Sequence, residues 1–121
     1  MNIEEIREYV LAFPGTTEDM PFGDDCVVYR IEGKIFMCLS LTGEEPHCAI
    51  KLVPERGEEM RALYAAVTPA WHWNKKYWSD VYYERLDDTL VCDLLRESYM
   101  LVLSALPKSV KAKYQDFCQT L

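Results

Sequence analysis

The chain has 121 residues, with 13 Lys plus Arg against 20 Asp plus Glu and a formal net charge of −7 at pH 7. That length suits one domain spanning residues 1–121, large enough to bury a core without metal or disulfide staples. With 50% of residues apolar and 27% charged, disordered and collagen-like chains are excluded. The acidic balance argues against a nucleic-acid binder that covers phosphates with a broad basic face. The charge is uneven, however. Residues 1–60 carry 5 basic against 13 acidic side chains, or −8, and residues 61–121 carry 8 against 7, or +1. Any anion-binding surface is therefore expected in the second half.

At the N-terminal end, Ile3, Ile6, Tyr9, Val10 and Phe13 fall at helical spacing opposite Glu4, Glu5 and Glu8, with Asn2 as the expected N-cap and Pro14-Gly15 as the stop. The polar residues 16–25, with Pro21 and Gly23 among them, read as a loop. Two β-branched and aromatic runs follow, 26–31 and 34–41, joined at Glu32-Gly33 by an expected tight hairpin. A third run, 47–53, alternates so that Cys48, Ile50 and Leu52 share one face and His47, Ala49, Lys51 and Val53 the other. Pro54 suits the first turn of a second helix, for which Met60, Leu63, Tyr64 and Val67 form the apolar stripe and Thr68-Pro69 the end. Residues 71–78 hold all three tryptophans, and 79–84 read as a strand. After Asp87-Asp88 the longest helix carries Leu90, Leu94, Leu95, Tyr99, Val102 and Leu106 and stops before Pro107. Lys108, Lys111 and Lys113 then fall in one or two further helical turns.

The five cysteines, Cys26, Cys38, Cys48, Cys92 and Cys118, are odd in number and form no C-x-x-C pair. The first ten residues read as a charged helix, not an apolar leader, and no run of about 18 apolar residues could cross a bilayer. The expectation is a cytoplasmic protein with reduced thiols, its cysteines acting as small buried hydrophobes. A metal site is not expected: His47-Cys48 are neighbours that a strand turns to opposite faces, and His72 stands alone. No phosphate loop, dinucleotide fingerprint or nucleophile elbow occurs, so no cofactor is expected. A Cys48/His72 nucleophilic pair is the one enzymatic arrangement left open, since such partners meet in space and not in sequence.

The stretch 71–78 interleaves Trp71, Trp73, Tyr77 and Trp78 with His72, Asn74, Lys75 and Lys76. Rings beside cations are what single-stranded nucleic acid or an anionic aromatic ligand uses, through stacking and charge. Large rings are equally the stuff of cores and interfaces.

Taken in order, Ala12 to Gly23 with its Phe13-Pro14-Gly15 turn, Glu32-Gly33-Lys34-Ile35-Phe36, Lys51-Leu52-Val53-Pro54-Glu55 and the run from Thr68 to Trp78 resemble the MmcQ/YjbR family of small bacterial proteins. Thr68-Pro69-Ala70-Trp71-His72-Trp73-Asn74-Lys75-Lys76-Tyr77-Trp78 is similar to that family's P-x-x-H-x-N-K-x-x-W signature, with Trp73 where the family often has a smaller or more flexible residue. Ser98-Tyr99 and Leu106-Pro107 match its closing helix. The resemblance implies an α+β fold: a single two-layer domain, an antiparallel β-sheet packed with helices, in the order α-β-β-β-α-β-β-α. It also implies a DNA-binding or regulatory role, drawn from the likeness of its strands and loops to a double-wing phage transcription factor, and attaches no catalytic activity to these positions. The expectation is therefore a non-enzymatic domain whose contacts centre on His72, Trp73, Asn74, Lys75 and Lys76, joined by Lys51 and the C-terminal lysines. Its partner would be nucleic acid. The alternative is a protein-interaction or small-anionic-ligand domain in which Trp71, Trp73 and Trp78 line a groove.

Overall fold

The computed structural model describes residues 1–115, and Cys118 lies outside the described residues. Helix α1 (Ile3–Leu11) starts as its sequence expects: Asn2 Oδ1 accepts from the Glu5 N–H and the Glu5 carboxylate accepts from the Asn2 N–H, both at 2.9 Å. The chain then turns through Gly15, whose φ of 74° is left-handed.

Residues 16–19, expected in a loop, form an edge strand, β1 (Thr16–Asp19), paired antiparallel to β2 (Cys26–Ile31). Every residue of β1 is polar, so hydrophobic alternation cannot reveal it. Arg7 holds it from α1, with Nη2 donating to Glu18 Oε1 at 2.6 Å and Nε to Oε2 at 3.0 Å. The β2–β3 hairpin turns at Glu32-Gly33 as expected, and β3 runs Lys34–Ser40. Both turn residues have positive φ, 49° and 80°, the requirement of the hairpin turn whose twist matches its strands. Strand β4 (Cys48–Lys51) pairs with β3.

Helix α2 (Pro54–Leu63) ends earlier than its apolar stripe suggests. Tyr64 is extended and Val67 belongs to a short strand, β5 (Val67–Pro69), because β-branched Val67-Thr68 ahead of a proline prefers extended backbone. Strand β6 (Trp78–Val81) completes one antiparallel sheet in the order β1-β2-β3-β4-β6-β5. Pro69 sits on its outer edge, where no ladder donor is missed. A 3₁₀ turn (Tyr83–Arg85) leads to α3 (Asp88–Ser104), capped by Asp87, and a short α4 (Lys108–Lys111) follows Pro107. The α+β fold with an antiparallel sheet is as the resemblance implies, with one more strand before the second helix.

The two sheet faces differ in cover. Tyr29, Met37, Leu39, Cys48, Ile50 and Val81 point toward α1 and α3 and build the main core with Ile6, Val10, Leu94, Leu95 and Tyr99. On the other face, Val28, Cys38, Ala49 and Trp78 form a smaller cluster under residues 70–77. A bulge in β3 leaves Phe36 unpaired between Ile35 and Met37. Its ring turns into the main core beside Phe13 and Tyr99, at 6.2 and 5.3 Å between centroids.

The fully buried Ser98 of α3 repairs the ladder at that bulge. Its hydroxyl donates to the Phe36 carbonyl at 2.5 Å and accepts from the Lys51 N–H at 2.8 Å. One side chain thus satisfies two backbone groups that β3 and β4 would otherwise pair directly, and it fixes the backbone from which Lys51 projects.

Candidate functional site

The β5–β6 connection, residues 70–77, folds back over the open face of the sheet. Asn74 organises it. Its carbonyl accepts from the Tyr77 and Trp78 N–H groups at 3.0 and 2.9 Å, and its side-chain Oδ1 accepts from the Lys76 N–H at 3.1 Å. An Asx turn of this kind is a structural reason for asparagine at this position. Trp73 is half-buried and stacks on Trp78, centroids 4.6 Å apart with planes at 26°, and Phe22 packs edge-on against it at 6.2 Å. Trp78 is core, 8% exposed, whereas Trp71 is 69% exposed.

Three lysines meet these rings. Lys75 Nζ lies 4.0 Å from the Trp71 centroid, and Lys51 and Lys76 lie 5.7 and 5.8 Å from that of Tyr77. Among the described residues none of the three has a carboxylate partner. The arginines are spent on ion pairs instead: Arg7 with Glu18, Arg30 with Asp19, Arg56 with Glu59 and Glu97, Arg85 with Glu45, and Arg96 with Asp93. The C-terminal lysines sit apart from this ledge. Lys108 and Lys111 line a groove with Met100 and Leu103, and Lys113 pairs with Glu32.

Beside the ledge the sheet face opens into a cleft of about 360 Å³. Cys26, Cys38 and Ala49 form its sheet wall, Trp73 and His72 come from the loop, and His47 and Asp80 stand on β4's approach and on β6. Asp80 is fixed from both sides, paired with Ala49 of β4 and Thr68 of β5. Its carboxylate has no hydrogen-bond or ion-pair partner among the described residues. Burial holds the Asp80 carboxyl above its ordinary range, and the neighbouring His47 and His72 partly offset that. The His47 ring lies tilted against Tyr82, centroids 5.0 Å apart, and its Nδ1 lies 2.9 Å from the Glu45 carbonyl, an acceptor that assigns a proton to Nδ1. Burial and a hydrogen bond to Cys26 push the Cys38 thiol up to about 12, so it stays protonated and is a poor nucleophile.

The Cys48/His72 pair does not form. Cys48 is fully buried on the core face with Ile50 and Val81, its thiol pushed upward by burial, while His72 borders the cleft on the opposite face. Of the other candidates, His72, Trp73 and the three lysines share one loop and its underlying strand end, and Asn74 shapes that loop. Asp80, His47, Cys26 and Cys38 were not singled out from the sequence as a site. The signal available for them was the strand alternation that puts His47, Ala49 and Lys51 on one face. Among the described residues no group of three His, Cys, Asp or Glu side chains could hold a metal ion, and no helix is long and apolar enough to cross a membrane.

A helix-backed antiparallel sheet whose other face carries an aromatic, lysine-bearing loop defines the class: a small α+β domain. The chain belongs to the YjbR family, whose model matches residues 11–101. It is 33% identical over 106 residues to the uncharacterized protein YbdF of Escherichia coli O157:H7, covering 87% of each chain. It is 28% identical over 109 residues to the uncharacterized protein YjbR of Escherichia coli K12, covering 89% of this chain and 92% of that one. A crystal structure of a Deinococcus radiodurans protein with a DUF419 domain superposes with a TM-score of 0.87 at 27% identity, over 93% of this chain and 86% of that one. A Pseudomonas syringae protein shares the fold, with a TM-score of 0.72 at 23% identity over 84% of this chain and 98% of that one.

Proposed function

We propose that the protein is a non-enzymatic DNA-binding domain that holds a single strand along the ledge formed by Lys51, Trp71, Lys75, Lys76 and Tyr77. The observation that carries this reading is that three lysines without carboxylate partners among the described residues lie over two rings of one loop, Lys75 over the exposed Trp71 and Lys51 and Lys76 over the half-buried Tyr77, in a chain whose arginines are nearly all neutralised. Cations follow a phosphate backbone, and an open indole gives a base something to stack on, a contact of about 1–3 kcal/mol per base. His72, exposed between Trp71 and Trp73, adds ring nitrogens that can hydrogen-bond beside the ledge. The net charge of −7 limits the affinity and confines binding to this ledge.

The test is a fluorescence anisotropy titration of a labelled oligothymidylate across a salt series. Three lysines facing phosphates predict that the logarithm of the affinity falls with a slope of about −2 against log salt. Lys75→Ala with Lys76→Ala should flatten the slope to about −0.7, and Trp71→Ala should weaken binding at every salt concentration. Absence of binding at low salt, or an unchanged slope in the double lysine variant, overturns the proposal.

A further inference from the structure

We propose that the cleft beside the ledge receives one unstacked base of the bound strand and that Asp80 makes it select guanine. This rests on the ledge reading and adds a specificity to it. The cleft and the ledge are two sides of one short loop: Trp71 faces out with Lys75, while His72 and Trp73, next in the chain, border the cleft.

Charge decides which part of a nucleotide can enter. Beside His47 and His72, the cleft is lined by Asp80 and Asp25 and by no lysine or arginine. A phosphate is therefore repelled and stays on the lysines, and what fits is a neutral group with hydrogen-bond donors. Shape points the same way. Trp73, held flat by its stacking on Trp78, offers one aromatic wall, and the small side chains Ala49 and Cys38 leave depth beneath it.

The unpartnered carboxylate then names the base. The Asp80 backbone is held by pairing on both flanks, so the strand that carries this carboxylate is in place without a ligand. A carboxylate has two acceptor oxygens and no donor. Guanine alone presents two adjacent donors, N1–H and the 2-amino group, on its Watson–Crick edge, and both can be accepted in parallel. Adenine and cytosine each offer one amino group beside an acceptor nitrogen that a carboxylate repels. Thymine offers one N–H flanked by two carbonyls. Reading an unstacked base by its Watson–Crick edge against an aromatic wall is a general mode of single-strand recognition.

The experiment compares labelled oligothymidylates carrying one central guanine, hypoxanthine or adenine, or none. The wild-type protein, Asp80→Asn and the Lys75→Ala/Lys76→Ala variant are titrated at one low salt concentration, with folding checked by circular dichroism. The guanine strand should bind roughly tenfold tighter than plain oligothymidylate, hypoxanthine, which lacks the 2-amino group, should fall between, and adenine should gain little. Asp80→Asn should lose the guanine preference while binding plain oligothymidylate at least as well as wild type, because a negative charge is gone. Equal affinity for all four strands, or a preference that survives Asp80→Asn, overturns the cleft assignment and leaves the ledge standing. No binding of any strand overturns both.

Discussion

Ser98 ties the helical layer to the working face, and its removal has a calculable effect. In Ser98→Ala the Phe36 carbonyl and the Lys51 N–H lose the hydroxyl that now joins them, at 2.5 and 2.8 Å. Both groups lie under α3, shielded from water by a residue with no exposed surface. A buried polar group left without a partner costs about 1–3 kcal/mol. Two of them set an upper range of about 2–6 kcal/mol, and partial closing of β3 onto β4 recovers some of it, so about 2–4 kcal/mol is expected. With a urea slope of about 1.5 kcal/mol per M, the unfolding midpoint should drop by roughly 1.3–2.7 M. Ser104→Ala is the control, since it makes the same exchange at the end of the same helix, where the hydroxyl donates to the nearby Leu101 carbonyl at an exposed position. Its change should stay within about 0.5 kcal/mol. Equal midpoints for the two variants would refute the claim that Ser98 completes the ladder. Because Lys51 leaves the sheet at that point, the folded Ser98→Ala protein should also bind oligothymidylate more weakly than Ser104→Ala.

Two further outcomes follow from local geometry and charge. Gly15→Ala places a side chain on a left-handed backbone at φ 74°, against the ring of Tyr114, and should lower stability by about 1–2 kcal/mol or more; an unchanged melting temperature would contradict it. Asp80 has a folded pKa above its ordinary 3.8, so the folded protein holds that proton more tightly than the unfolded chain does. This contribution is fully present below the ordinary value and is lost as pH rises through the folded one. Asp80→Asn should therefore melt higher than wild type at neutral pH, with the gap closing near about pH 3. A gap that is constant with pH, or reversed, would refute the burial argument.

Much of the fold was legible because its central elements obey simple periods. The helical stripe of α3, the Asn2 cap and the Glu32-Gly33 hairpin read directly from residue type and spacing. The two short edge strands did not. Thr16-Thr17-Glu18-Asp19 has no apolar residue to alternate, and its place in the sheet depends on Arg7, a residue of another element. Val67 fits a helical stripe as well as a strand, and only its pairing with Val81 decides between them. The candidate site divides in the same way. Lys75, Lys76 and the tryptophans are nearly contiguous in the chain and were visible as a group, whereas Lys51 joins them from β4. Asp80 comes from β6 and His47 from the residue before β4, and they meet His72 only through the sheet order β4-β6-β5. The alternation groups Cys48 with Ile50 on the core face, but that His72 borders the opposite face follows only from the way the β5–β6 connection folds over the sheet, so the failure of the Cys48/His72 pairing was not readable from the sequence.

The acidity of the chain looks at first like an argument against any anionic partner, but net charge sums over groups that neutralise one another in place. Arginine, with its planar fork, is the better partner for a carboxylate, whereas a lysine ammonium is a hydrated point charge that gains less from such a pair. This chain divides its cations along that line. Among the described residues five arginines hold carboxylates, Arg61 holds the Ser79 hydroxyl, and of the lysines only Lys113 has an acidic partner. The cations left without an acidic partner among the described residues are thus mostly lysines, and three of them, Lys51, Lys75 and Lys76, lie over the Trp71 and Tyr77 rings. Asp25 and Asp80 line the cleft beside them. On the proposed reading this change of sign over a short loop sorts a nucleotide into its parts, with the phosphate kept on the ledge and the donor edge of the base drawn into the cleft. A uniformly basic face would lack that sorting, so the acidic residues of the cleft are a condition of selectivity and not an obstacle to binding.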